Sequence, residues 1–106
     1  MNRVQVTDEE RDMALVYYGD VLASVPSLRL RGRNVPGTDV ARALAGANLA
    51  YRDQIGRHLV RRFRKDTDNP TGLIEWQKFH EWLQEHMAEI NALRVILSIL
   101  TILMML

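Results

Sequence analysis

The sequence contains no cysteine, and this absence removes several kinds of chemistry at once. Disulfide bridges, zinc sites built from thiolates and cysteine nucleophiles are excluded, while the redox state of the compartment stays open. Neither sign of charge is in excess, since 14 basic and 13 acidic residues give a net charge of +1. A chain this close to neutrality lacks the overall positive field that draws nucleic acid.

Motifs for catalysis are missing as well. The sequence has no His-x-x-x-His pair, no glycine-rich phosphate loop and no ordering of serine, histidine and acid that indicates a triad. His80 and Glu81 are adjacent, as are Glu85 and His86, and adjacent side chains on a helix diverge. The sequence therefore predicts a protein that is not an enzyme and carries no cofactor.

Length and composition indicate one folded domain. The chain has 106 residues, of which 47% are hydrophobic and 25% charged. This balance is typical of a globular chain rather than a disordered one. Residues 1–6 lack the basic start and long apolar stretch of a secretory signal, which favours an intracellular location with membrane association left open.

The segment 8–24 has the features of a first helix. Thr7 and Glu10 have the spacing of a capping box, in which each side chain accepts a hydrogen bond from the backbone of the other residue. Pro26 ends the helix, because the residue before a proline avoids helical dihedral angles.

Loops and helices alternate from there to residue 72. Glycine, asparagine and proline predict a loop over 28–37, and Thr38 is placed to cap a short helix. A third helix is expected over 52–64, after a turn at 48–51. Turn-forming residues are dense over 66–72, which predicts a second loop.

Apolar residues in the last third of the chain recur in alternating steps of three and four. This spacing predicts one long helix with a continuous apolar seam. His86 lies in the seam and is interpreted as buried or facing a partner. The residues expected to dock on a partner or a membrane are Trp76, Phe79, Leu83, Ile90, Leu93, Leu97, Leu100 and Met104.

The run 95–106 contains no charged residue and would be apolar on every face of a helix. Its 12 residues are fewer than the roughly 20 that cross a membrane as a helix. Burial against partner subunits or partial insertion into a membrane is therefore favoured over a full span. Exposure to water is rejected, because such a surface would aggregate. The chain divides into a helical domain, 1–89, and a hydrophobic helical extension, 90–106.

Two sets of residues have a shared spacing. Gly72, Ile74 and Phe79 stand where a glycine, a central aliphatic residue and a helix-opening aromatic residue would follow one another. Earlier in the chain, Val35 stands at the place of the central aliphatic residue and Asp39 at the place of the acid that closes the loop. With the order of the elements, these residues resemble a paired EF-hand domain of the calmodulin and centrin type. The resemblance implies an all-α fold of two helix–loop–helix units over roughly residues 7 to 87. It also implies a short antiparallel bridge between Val35 and Ile74.

The loops depart from a calcium-binding pattern. A calcium loop takes side-chain oxygens at its first, third and fifth positions and a bidentate Glu at the twelfth. Counting from Ile74 as the eighth position puts Lys78 at the twelfth, and counting from Asp66 puts Gln77 there. We expect no calcium binding, and turn-forming polar residues are the preferred interpretation. The candidate ligands, if calcium did bind, would be Asp39, Asp66, Asp68 and Asn69.

The predicted third helix carries a basic patch. Arg57, Arg61 and Arg64 follow steps of four and three, with Arg62 beside them. Acidic partners or anionic lipid headgroups are favoured over nucleic acid, which would require a larger net charge and exposed aromatic residues. Internal pairing with the acidic face of the last helix is a further interpretation.

These features predict a non-catalytic structural or interaction subunit of a larger assembly. It would dock on protein partners through its hydrophobic C-terminal helix and a helical groove, with membrane contact through 95–106 as an alternative. Two other functions stay open: a calcium-sensing EF-hand regulator, and a basic nucleic-acid-binding or viral structural protein.

Overall fold

The computed structural model describes residues 4–30 and 32–91. That part of the chain is mainly helical, as predicted, with one small sheet that was not expected. Its elements are α1 (Asp8–Ser24), β1 (Ser27–Leu30), β2 (Arg33–Pro36), α2 (Gly37–Ala45), α3 (Leu49–Asp66) and α4 (Trp76–Asn91).

The bounds of α1 agree with the prediction because the signals at both ends are local. The backbone N–H of Thr7 donates to Oε1 of Glu10 at 2.9 Å, and the N–H of Glu10 donates to Oγ1 of Thr7 at 3.0 Å. The capping box is therefore confirmed. At the other end Val25 is extended, as the residue before Pro26 must be, and its N–H donates to the carbonyl of Leu22.

The segment predicted as a loop over 28–37 contains a β-hairpin instead. β1 and β2 pair in antiparallel fashion, with Leu28 opposite Val35. The expected bridge from Val35 to Ile74 is therefore wrong. Local pairing closes a much shorter loop than a bridge to Ile74 would, and Gly32 supplies the positive φ of 78° that the tight turn needs. The wider EF-hand resemblance stays a prediction.

Two helix starts differ from the sequence expectations. Thr38 does not cap α2, which begins at Gly37 after Pro36 and has no side-chain cap. The turn expected at 48–51 is the first turn of α3, because Oδ1 of Asn48 accepts hydrogen bonds from the N–H groups of Ala50 and Tyr51. Asparagine is both a turn former and an N-cap, so the sequence alone did not separate the two.

The last described helix is not regular throughout. His86, with φ −110° and ψ 15°, leaves the helical region inside α4. The prediction of an uninterrupted helix is therefore wrong at this residue. A spacing of three and four residues indicates which side chains lie on one face of a helix, but it does not determine the backbone angles of a single residue. Leu93, Leu97, Leu100 and Met104 lie outside the described residues, as does the continuation of the predicted helix.

One hydrophobic core joins the four described helices. α1 packs against α2, α3 and α4, so it is the central element of that part of the chain. The largest fully buried side chains are Tyr18, Phe79, Leu22, Leu59, Leu83, Val21, Val40 and Val60. The base of the hairpin adds Leu28 and Val35, which are partly buried against this core.

Candidate functional site

The predicted docking seam lies partly inside the chain's own core. Phe79 and Leu83 have no exposed surface, and Ile90 is 4% exposed. In this conformation these three side chains stabilise the fold and are not available to a partner. Trp76 remains at the edge, half-buried, and stacks on Tyr17 with ring centroids 5.7 Å apart.

A pocket of about 270 Å³ opens beside Trp76. One wall is the first turns of α1 and the other is the segment that leads into α4. Its lining residues are Thr7, Glu9, Glu10, Met13, Leu73, Ile74 and Trp76. Leu73 is 97% exposed and adds apolar surface to this pocket. This pocket, with the exposed Leu73 at its rim, is the candidate docking site of the described part.

Sequence reasoning found Trp76 but missed the rest of the pocket. Thr7 and Glu10 were assigned only to helix capping, and Ile74 only to the bridge between the two loops. The two walls are far apart in the chain, and no periodicity relates them. Leu73 follows a segment rich in turn formers, but one apolar residue in a loop does not indicate a site by itself.

The arginines of the predicted basic patch are mostly engaged by the start of α1. Arg57 donates to the carboxylate of Asp53 at 3.0 Å, to the carboxylate of Asp8 and to the carbonyl of Val6. Arg11 donates to the same Asp53 carboxylate at 2.6 Å. These hydrogen bonds from Arg11 and Arg57 hold the pKa of Asp53 below its ordinary value.

Arg64 is the most buried charged group of the patch, at 4% exposure. Nη2 of Arg64 donates to the Glu10 carboxylate at 2.7 Å and to the carbonyl of Gly72 at 2.9 Å. Nη1 of Arg64 donates to the carbonyl of Asn69 at 3.2 Å. Burial raises the pKa of Glu10, but the backbone N–H of Thr7 and the Arg64 guanidinium outweigh it, so the pKa lies below its ordinary value.

The other two patch residues lie nearer the surface. Arg62 donates to Asp66 at 3.3 Å and to Glu89 at 3.0 Å, and Arg61 makes a long contact of 3.4 Å with the carbonyl of Val4. Internal pairing was one of the predicted interpretations, with α4 as the partner. In the structure, Arg57 and Arg64 pair with carboxylates at the start of α1. In the described ranges, the α4 carboxylate that pairs with the patch is that of Glu89, which binds Arg62.

Two of the four candidate calcium ligands, Asp39 and Asp66, have side-chain partners within the described residues. Asp66 accepts from Arg62 and, at 3.0 Å, from Nε1 of Trp82. Asp39 lies on α2, where its Oδ1 is 3.6 Å from Nη1 of Arg42. In residues 4–30 and 32–91, no group of three or more histidine and acidic side chains is placed to hold a metal ion.

The three histidines have separate surroundings. Burial, together with the charges of Arg62 and Arg61, lowers the pKa of His58. His80 lies 3.7 Å from Asp20 and edge-on to Tyr17. His86 lies against Trp82, and its Nδ1 is 3.8 Å from the Glu89 carboxylate.

The hairpin also carries arginines, and these differ from Arg57, Arg62 and Arg64 of α3 in having no carboxylate partner in the described ranges. Arg29 and Arg33 are exposed, and neither forms an ion pair within the part of the chain that the structure describes. The contact of Arg29 is a hydrogen bond of 3.5 Å to Oδ1 of Asn34.

Comparisons with known proteins return no match. No family model, no curated protein and no solved structure matches the chain. Among the helices that the structure describes, none combines the length and the apolar character needed to cross a membrane.

Proposed function

We propose that this chain is a non-catalytic interaction subunit that docks on a protein partner. The run 95–106 is the main docking segment, and the pocket beside α1 is a second contact. The observation that carries the proposal is the run itself, 12 consecutive residues without a charge. The described residues enclose a core of their own.

The apolar side chains of that run would supply most of the binding free energy. Burying a leucine or isoleucine side chain contributes about 1.5–3 kcal/mol. Several such residues between positions 95 and 106 would hold a helix firmly in an apolar groove, which is an established mode of peptide recognition. Left in water, the same surface would drive self-association.

The pocket suits an apolar side chain of the partner with a basic residue beside it. Leu73, Ile74 and Met13 provide apolar surface, and the exposed carboxylate of Glu9 lies at the rim. A volume of about 270 Å³ is at the lower limit of pockets that hold small ligands, so a single anchoring side chain fits better than a cofactor.

The test compares two double variants of the full-length chain. L97Q/L100Q removes two leucines of the run, whereas S98Q/T101Q introduces the same glutamines at positions that are already polar. We expect the wild type and S98Q/T101Q to self-associate in buffer and to exchange that association for a stable complex with the partner. L97Q/L100Q should stay monomeric and lose the complex.

The measurements are light scattering after size exclusion and quantitative co-purification from cells that express the chain. A wild-type chain that is monomeric at high concentration in plain buffer would contradict the proposal. So would a complex that L97Q/L100Q retains at wild-type yield. A saturable micromolar response of the Trp76 and Trp82 fluorescence to calcium would replace it with the calcium-sensor function.

A further inference from the structure

We propose that Arg64 joins the two walls of the pocket beside α1 and thereby sets the width of that pocket. A single nitrogen, Nη2 of Arg64, donates to the Glu10 carboxylate at 2.7 Å and to the carbonyl of Gly72 at 2.9 Å. Glu10 belongs to the α1 wall, and Gly72 directly precedes Leu73 and Ile74 of the other wall. Arg64 is buried and is not one of the described residues that line the pocket, so it acts on the pocket from the interior of the domain.

The α1 wall is held through the same carboxylate. Oε2 of Glu10 accepts from Arg64, while Oε1 accepts from the backbone N–H of Thr7 at 2.9 Å. Thr7 itself lines the pocket. Both oxygens of the carboxylate are therefore engaged, and Arg64 is attached to a wall whose backbone the capping box already holds.

The second wall is attached to the rest of the domain at separate points along the described chain. Arg64 donates to the Gly72 carbonyl, and Ile74 packs partly buried against the core. Farther along, Trp76 stacks on Tyr17 of α1. Loss of the hydrogen bond from Arg64 should therefore loosen the Gly72 end of this wall while the Trp76 end stays in place.

Arginine suits this connection better than lysine does. The planar guanidinium carries donors on two terminal nitrogens, so Nη1 reaches the Asn69 carbonyl at 3.2 Å while Nη2 reaches both walls. A lysine side chain ends one bond earlier and has a single nitrogen, so it can keep a charge beside Glu10 but does not reproduce the other contacts. Substitution by lysine therefore separates the geometry of the connection from its charge.

The consequence for docking rests on the proposed function. A pocket whose walls are already joined binds an anchoring side chain without first ordering a segment of backbone, and such ordering costs affinity. R64K should therefore retain less of the complex than the wild type, although Arg64 lies outside the lining of the pocket. In this way Arg64 is a positioning residue for the docking site.

The absence of cysteine makes the separation of the walls directly measurable. The double variant E9C/L73C of the full-length chain places one thiol on each wall, at two exposed positions, and each thiol carries a spin label. Electron paramagnetic resonance then gives the distribution of distances between the two labels. An excess of unlabelled wild-type chain restricts the measurement to labels within one molecule.

The distribution is compared in the wild-type, R64K and R42K backgrounds. R42K is the matched control, because Arg42 is an exposed arginine on α2. A second labelled pair, V16C/A45C, lies at exposed positions of α1 and α2 outside the pocket and reports on the rest of the fold.

We expect a narrow distribution for E9C/L73C in the wild-type and R42K backgrounds, and a shift to longer and more broadly distributed distances in R64K. The V16C/A45C pair should give the same distribution in all three. An unchanged E9C/L73C distribution in R64K would overturn the inference. Broadening of both pairs would also overturn it, because Arg64 would then support the fold as a whole and not the pocket.

Two further arms complete the test. Far-ultraviolet circular dichroism checks that R64K is folded. If it is not, E10Q, which weakens the same connection from the α1 side, replaces it. E10Q should shift the E9C/L73C distances in the same direction, and an unchanged distribution there would overturn the inference.

Co-purification of the complex separates this inference from the proposed function. Shifted distances in R64K together with a wild-type yield of complex would support the wall contact and refute docking at the pocket. Loss of the complex in L73A, with unchanged distances in R64K, would support docking at the pocket and refute the role of Arg64.

Discussion

At the scale of single residues, Arg64 has the largest structural role among the charged side chains described. From the end of α3 it reaches the capping residue of α1 and two carbonyls of the loop that leads into α4. It was predicted as part of an outward-facing basic patch. Its burial makes it instead a connection between three segments, and the loop over 66–72 depends on it.

Replacing Arg64 by methionine should destabilise the protein by roughly 3 kcal/mol. The variant leaves the Glu10 carboxylate and the carbonyls of Asn69 and Gly72 without their donor, and breaking a buried ion pair from one side costs about that much. Urea denaturation measures the free energy of unfolding. Arg42→Met is the control, since its guanidinium is exposed and its pair with Asp39 should be worth under about 1 kcal/mol. Similar losses in both variants would show that the Arg64 contacts contribute little.

The loss of folding stability at acid pH should depend on Glu10. Its pKa is lower in the folded chain than the ordinary value of 4.5, so the unfolded chain takes up the proton more readily. The stabilisation from Glu10 is therefore complete above about pH 4.5 and is lost as the pH falls through the folded pKa. Glu10→Gln, which cannot titrate, should lose stability less steeply below pH 4.5 than the wild type. Identical slopes in urea titrations at several pH values would contradict this.

At the scale of elements, the contact between α1 and α3 depends on a glycine. A Cβ atom at Gly56 would lie 2.7 Å from Cγ of Arg11 and 2.8 Å from the Arg11 carbonyl oxygen. These distances are too short for carbon, so the two helices approach as closely as they do because the side chain is absent. This close approach brings Arg11 and Arg57 to the same Asp53 carboxylate.

Gly56→Ala and Gly19→Ala should have opposite effects. Both positions lie within helices, where alanine gains about 1 kcal/mol over glycine in propensity. Gly19 has open space around it, so its variant should be stabilised by about 0.5–1 kcal/mol. At Gly56 the backbone clash should outweigh the gain and give a net loss of about 1–2 kcal/mol. Thermal and urea unfolding of the two variants provide the measurement, and a stabilised Gly56→Ala chain would show that the helices move apart freely.

At the scale of the whole molecule, the apolar residues that form the core differ from the exposed Leu73 that is proposed to contact a partner. Phe79 lies at the centre of an aromatic cluster, with its ring centroid 5.2 Å from the ring centroids of both Phe63 and Trp76. Leu73 is almost fully exposed and contributes little to the core. The two kinds of residue are therefore separable by mutation, although both were placed in one EF-hand-like unit by the sequence.

Phe79→Ala should cost about 3–5 kcal/mol of unfolding free energy, because it leaves a cavity in the core. Leu73→Ala should change that free energy by less than about 0.5 kcal/mol, since an exposed side chain has little to lose. If the pocket docks a partner, Leu73→Ala should nevertheless weaken the complex. Unfolding curves and complex yield, measured on the same preparations, separate the two effects. An unfolding loss above 1 kcal/mol for Leu73→Ala would place that residue in the core.

Features that depend on neighbours in the chain were readable from the residues. The capping box of Thr7 and Glu10, the stop before Pro26 and the helical character of the segments all arise within a few positions. The shared face of Phe79, Leu83 and Ile90 followed from their spacing, although the spacing did not show that the chain's own core covers that face. The uncharged run 95–106 is likewise a property of the residues alone.

Which surfaces meet was decided by the packing of the elements. Val35 pairs with Leu28 and not with Ile74, the start of α1 takes up the arginines of α3, and Leu73 joins α1 in forming a pocket. Each of these contacts joins residues whose meeting depends on the angle and distance between two elements. Periodicity defines the faces of a helix but carries no information about its neighbour, so these partnerships exist only in the folded chain.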